Sequence, residues 1–89
     1  MTITSSGPRP HPITIAVGAT VTFINNDAIN HDVAGGPDPD HRDCPEIDAV
    51  GFLTPGQSRQ TQAFSRARTC EFHDHSFHSP VFNGRIIIQ

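Results

Sequence analysis

Residues 69–84 read Thr-Cys-Glu-Phe-His-Asp-His-Ser-Phe-His-Ser-Pro-Val-Phe-Asn-Gly, which sets the thiol of Cys70 within eight positions of three imidazoles, His73, His75 and His78. Thiolate sulfur and neutral imidazole nitrogen are the donors that copper and zinc take up. Metal binding is therefore the first chemistry this stretch suggests. Far upstream, His31 stands between Asn30 and Asp32 just after the turn-forming run Asn25-Asn26-Asp27, and it joins the candidate ligands. Cys44 is open to three readings: a disulfide to Cys70, a buried free thiol, or a second sulfur ligand. Cys44 and Cys70 with two histidines would also make a tetrahedral zinc site that holds a long loop down and does no redox work. His11, between two prolines, reads as surface, and His41 belongs to His41-x-x-Cys44, which invites a metal reading, while solvation of the acidic loop explains it equally well.

The elements that must position these residues are strands. Residues 2–4 suit a short edge strand, and the prolines within 5–12 cannot join a central ladder. Residues 13–17 and 21–24 alternate apolar and polar side chains, the signature of half-buried strands. A further short segment begins at His31. Residues 35–48 carry three prolines and five carboxylates and read as a long loop, which in so small a domain is functional or mobile. Residues 50–53 form an apolar strand, Thr54-Pro55-Gly56-Gln57 has Pro and Gly where a type II turn wants them, and 58–64 alternate weakly. Residues 67–72 lead through Cys70, and 84–89 close the chain as a β-branched strand. Six or seven strands and no convincing helix point to an all-β sandwich.

Length and charge exclude several function classes. The 89 residues support one domain, 1–89, with a single core. The net charge is −3 and the six arginines are scattered, so there is no nucleic-acid footprint. No apolar run is long enough for a membrane span, and the first seven residues lack the basic and apolar regions of a signal peptide. No serine or carboxylate pair stands in a recognisable hydrolytic setting, so the chain reads as no enzyme.

Several motifs in order carry a resemblance: Ile15, Val17, Gly18, Val21, Phe23, Asn25 and Asp27, then His31, then Phe52-Leu53-Thr54-Pro55-Gly56-Gln57-Ser58, then Cys70-x-x-His73, then Gly84-x-Ile-Ile-Ile. Together they resemble a cupredoxin of the plastocyanin type across nearly the whole chain. The resemblance implies a Greek-key β-sandwich with one copper ion, cycling between Cu(I) and Cu(II), at one end. Carried over, His31, Cys70 and His73 are the ligands of an electron-transfer site that catalyses nothing. It also implies a transient protein redox partner and a periplasmic or extracellular location. The family's axial methionine is missing, since the only methionine is Met1. His78 takes that place at plastocyanin spacing from Cys70, Phe82 takes it when counted back from Gly84, and His75 is a further candidate. Phe77, Pro80, Val81 and Phe82 are expected to form the apolar rim where a partner docks, or else to turn inward. The alternative function is a copper-handling or zinc-stapled module without redox activity.

Overall fold

Side chains that alternate between buried and exposed in residues 22–25 and 84–88 put one face of these strands into a shared core. The computed structural model describes residues 1–36, 44–76 and 80–89. Within them the strands are β1 (Thr2–Thr4), β2 (Gly7–Arg9), β3 (Ile13–Ile15), β4 (Thr22–Asn25), β5 (His31–Gly35), β6 (Gly51–Leu53), β7 (Ser58–Gln60), β8 (Arg68–Asp74) and β9 (Gly84–Ile88). They form a four-stranded sheet, β2-β1-β4-β7, packed on a five-stranded sheet, β3-β9-β8-β5-β6. The chain crosses repeatedly between the two sheets, and the β1/β4 and β3/β9 pairs run parallel while the others are antiparallel. The all-β sandwich expected from the sequence is the architecture found.

The core lies between the sheets. Phe23 of β4 meets Phe72 of β8 edge to face, with ring centroids 5.1 Å apart. Val21, Val33, Leu53, Phe64, Ile86 and Ile88 fill the space around them. Burying a side chain such as Phe23 stabilises the fold by about 1.5–3 kcal/mol, and this aromatic contact ties one sheet to the other. The turn at residues 54–57 forms as the Pro-Gly pair predicts: Gly56 has φ of 85° and the N–H of Gln57 donates to the Thr54 carbonyl at 3.0 Å.

Three local expectations are corrected. Residues 35–48 are not all loop, because Pro45–Asp48 form a one-turn helix, α1, with Pro45 in its first turn. Proline suits that position because its fixed φ is already helical and no N–H is needed there. Four residues are too few to leave a periodic signature. Asp48 accepts the N–H of Gly35 at 2.8 Å, and a Cβ on Gly35 would lie 2.3 Å from the Cys44 carbonyl oxygen. Glycine is what allows α1 to approach β5 so closely. Strand β7 is shorter than the 58–64 expected. Strand β8 is longer than expected and runs to Asp74, which governs the site.

Candidate metal centre

The β5/β8 register decides which side chains meet. Val33 faces Asp74, Ala34 faces His73 and Gly35 faces Phe72. Side chains alternate between the two faces of a sheet, so Cys70, Phe72 and Asp74 share the inward face of β8 with His31 and Val33 of β5. His73 and Glu71 point to the outer face. A Cys-x-x-His pair can share a metal from a loop, but here both residues lie within a strand, and positions three apart fall on opposite faces.

Distance along the strand separates Cys70 further. The His31 ring meets the last residue of β8, Asp74, four positions from Cys70, which at the rise of an extended strand is roughly 13 Å. Cys70 is instead bonded to Cys44, the residue preceding α1, with both residues buried in the core. The Cys70 sulfur expected as a copper thiolate is thus half of a disulfide in this structure. The two thiols that a zinc staple would need are joined to each other, and the disulfide itself pins α1 against β8. No thiolate is present among the described residues.

His31 has a different companion. It is 1% exposed at the end of the sandwich, with its Nδ1 in hydrogen-bond contact with Oδ2 of Asp74. The other oxygen of Asp74 accepts the N–H groups of Asp32, at 3.1 Å, and Ser76, at 2.9 Å. On the far side of the ring, Nε2 lies 2.9 Å from Oδ2 of Asp27. The hydrogen bond from His31 is the main cause that holds the Asp27 carboxyl below its ordinary pKa. The Ala28 N–H and the charge of the ring add to that hold, while partial burial opposes it. The loop carrying Asp27 is anchored by Asn25, whose Nδ2 donates to the carbonyls of Ile29 and Leu53, both at 2.9 Å.

Phe82 covers the site. Its ring centroid lies 4.7 Å from that of His31, and it is a partly buried residue packed on the core. Phe82 thus turns inward as one of the two alternatives required, while Val81 stays exposed. His73 is buried against the outer face with Nδ1 2.8 Å from the Gly36 carbonyl, and since a carbonyl oxygen only accepts, Nδ1 is the donor. His75 is exposed, and its ring sits 5.9 Å from that of His73. His41, Phe77 and His78 lie outside the described residues.

The ligand set of one thiolate and two imidazoles does not fit this structure. Among the described residues no group of three or more His, Cys, Asp or Glu side chains is arranged to hold a metal ion. What the sandwich does bring together is one imidazole and two carboxylates, His31 with Asp74 and Asp27. Sequence reasoning missed Asp74 and Asp27. The signal for Asp74 was the alternation Cys70, Phe72, Asp74, legible only if the strand is extended past Phe72.

The fold has many counterparts among solved structures. A purple cupredoxin from Nitrosopumilus maritimus is 20% identical, with 86% of this chain and 76% of that chain covered and a TM-score of 0.63. Amicyanin, in the reduced state of its P94F mutant, is 19% identical over 100% of this chain and 81% of that one, with a TM-score of 0.73. Oxidised plastocyanin from Dryopteris crassirhizoma is 20% identical over 90% and 85%, with a TM-score of 0.67. No protein-family model and no curated protein matches the chain.

Proposed function

The chain has the cupredoxin fold, and from that premise we propose that it is a copper(II)-binding module whose protein donors are His31 and Asp74. The observation that carries this reading is the contact of the His31 imidazole with the Asp74 carboxylate at one end of the sandwich, with both cysteines tied up elsewhere. Copper binding is supported by the fold neighbours, one of which is an amicyanin variant in its Cu(I) form. Nitrogen and oxygen donors suit Cu(II) in a tetragonal arrangement, whereas soft sulfur selects Cu(I). Water, and on grounds of sequence alone His78, would complete the set. When bound, the ion supplies a Cu(II)/Cu(I) couple.

A site that favours one oxidation state suits holding copper better than passing an electron quickly. Copper handling therefore takes precedence over the electron carrier with a transient redox partner, and binding takes precedence over catalysis. The buried disulfide supports an oxidising compartment, the periplasm or the extracellular space. No helix among the described residues is long and apolar enough to cross a membrane.

Titration of the disulfide-intact protein with Cu(II), followed by visible absorption and electron paramagnetic resonance, tests the reading. The expected result is binding with only weak ligand-field absorption, lost in His31→Ala and weakened in Asp74→Asn. An intense charge-transfer band that disappears in Cys70→Ser would overturn it and restore the thiolate site.

A further inference from the structure

Both ends of the Cys44–Cys70 bond are closed to solvent, Cys44 being 1% exposed and Cys70 0%. Thiol–disulfide exchange needs a thiolate to reach one of the two sulfurs, so the folded chain must open before the bond can be made or cut. The two cysteines do not stand in equivalent places. We infer that Cys44 is the exchange sulfur, the one that a thiol–disulfide oxidoreductase joins, and that Cys70 is the resolving sulfur within the sheet. The inference is independent of the copper reading.

Cys70 sits in β8, the central strand of the five-stranded sheet, with its side chain in the core between the two sheets. It pairs with Ile86 of β9 on one side, and on the other its neighbour Glu71 accepts the N–H of Gly36 at 2.7 Å. Exposing its sulfur means parting the sandwich. Cys44 lies outside any strand, at the start of the one-turn helix α1. That turn is held by the ion pair of Glu46 with Arg68 at 2.6 Å, by the Gln62 N–H on the Glu46 carbonyl at 3.1 Å, and by Asp48 on the N–H of Gly35 at 2.8 Å. The buried side chain of Ile47 adds to the hold. Lifting α1 breaks these contacts and leaves both sheets paired, so the opening that bares Cys44 is a local one. An attacking thiolate then bonds to Sγ of Cys44 as the Cys44–Cys70 bond breaks, and the electron pair leaves on Sγ of Cys70, which takes a proton from water. In the forming direction Cys44 enters a mixed disulfide with the oxidoreductase and the Cys70 thiolate displaces the enzyme's sulfur. The enzyme's disulfide takes up the two electrons and ends as a dithiol, and the two thiol protons of Cys44 and Cys70 balance it.

Sulfite tests the assignment, because it attacks a disulfide as a thiolate does and leaves a stable record, one sulfur becoming an S-sulfonate and the other a free thiol. The disulfide-intact protein is treated under native conditions and in urea, quenched in acid, alkylated and mapped by mass spectrometry. Under native conditions S-sulfonate on Cys44 should exceed that on Cys70 by about tenfold or more, as the local opening requires, while in urea the two should be nearly even. Gly35→Ala, whose methyl group meets the Cys44 carbonyl oxygen, should speed the native reaction by more than its loss of urea stability accounts for. An even split under native conditions, or sulfonate chiefly on Cys70, would overturn the inference. The same bias towards Cys44 in urea would overturn it too, since the preference would then belong to the local sequence and not to the fold. So would an acceleration in Gly35→Ala equal to the change in its global unfolding constant, because Cys44 would then be bared only when the whole domain opens.

Discussion

Cutting the Cys44–Cys70 bond is the perturbation whose size the structure sets most directly. The two residues are 26 apart in sequence, and closing a loop of that length in the unfolded chain removes entropy equivalent to about 3.5 kcal/mol at room temperature. In a domain of this size each kcal/mol moves the melting temperature by about 4–8 °C, so reduction should lower it by roughly 15–25 °C. Urea unfolding and calorimetry of the metal-free protein, with and without reductant, measure this. The Cys44→Ala/Cys70→Ala variant should lose somewhat more, because both sulfurs are buried and their removal leaves a cavity. A loss below about 1 kcal/mol on reduction would refute the argument, since the covalent link would then not be what restrains the loop. The same double variant tests the site: Cys70 is four positions, roughly 13 Å of extended strand, from Asp74, and groups so far apart act independently. Copper affinity in the folded variant should be unchanged, and a large loss would mean that a thiolate belongs to the centre.

Acid should destabilise the protein through Asp27 and Glu46. At Glu46 burial pushes the carboxyl up but is outweighed by the hydrogen bond and charge of Arg68, with backbone N–H groups helping, so its pKa, like that of Asp27, lies below the ordinary value. A depressed folded-state pKa contributes stability that is present above the unfolded value, near ~4, and is lost as pH falls through the folded one. Asp27→Asn and Glu46→Gln should therefore each flatten the fall in urea stability across that acid range, and a slope equal to wild type would contradict the assignment. Gly35→Ala should destabilise by about 2 kcal/mol or more, because its methyl group would meet the Cys44 carbonyl oxygen and push α1 off β5. Equilibrium unfolding checks this, and a neutral substitution would mean that α1 is free to shift.

Much of the fold was legible because strands and turns leave local marks. The alternation in residues 21–24, the isoleucines at 86–88 and the Pro-Gly pair at 55–56 each report a physical constraint that acts over a few residues. The order of motifs then sufficed to suggest the cupredoxin fold, and it singled out His31 as a candidate from its place after Asn25-Asn26-Asp27. The one-turn helix Pro45–Asp48 was not legible, being too short to repeat a pattern.

The chemistry of the site was a different matter. Sequence determined which donors the chain owns: two cysteines, six histidines and no methionine beyond Met1. It could not determine which of them meet, because that depends on where β8 ends and on its register against β5. Those are set by pairing between segments some forty residues apart, and a strand two residues longer turns a ligand loop into alternating faces. Proximity in sequence made Cys70 and His73 look like partners. Tertiary structure sent Cys70 inward to Cys44 and His73 outward to Gly36, and it gave His31 the company of Asp74, since only the packed sheets bring the segment that carries Asp27 and His31 to the end of β8.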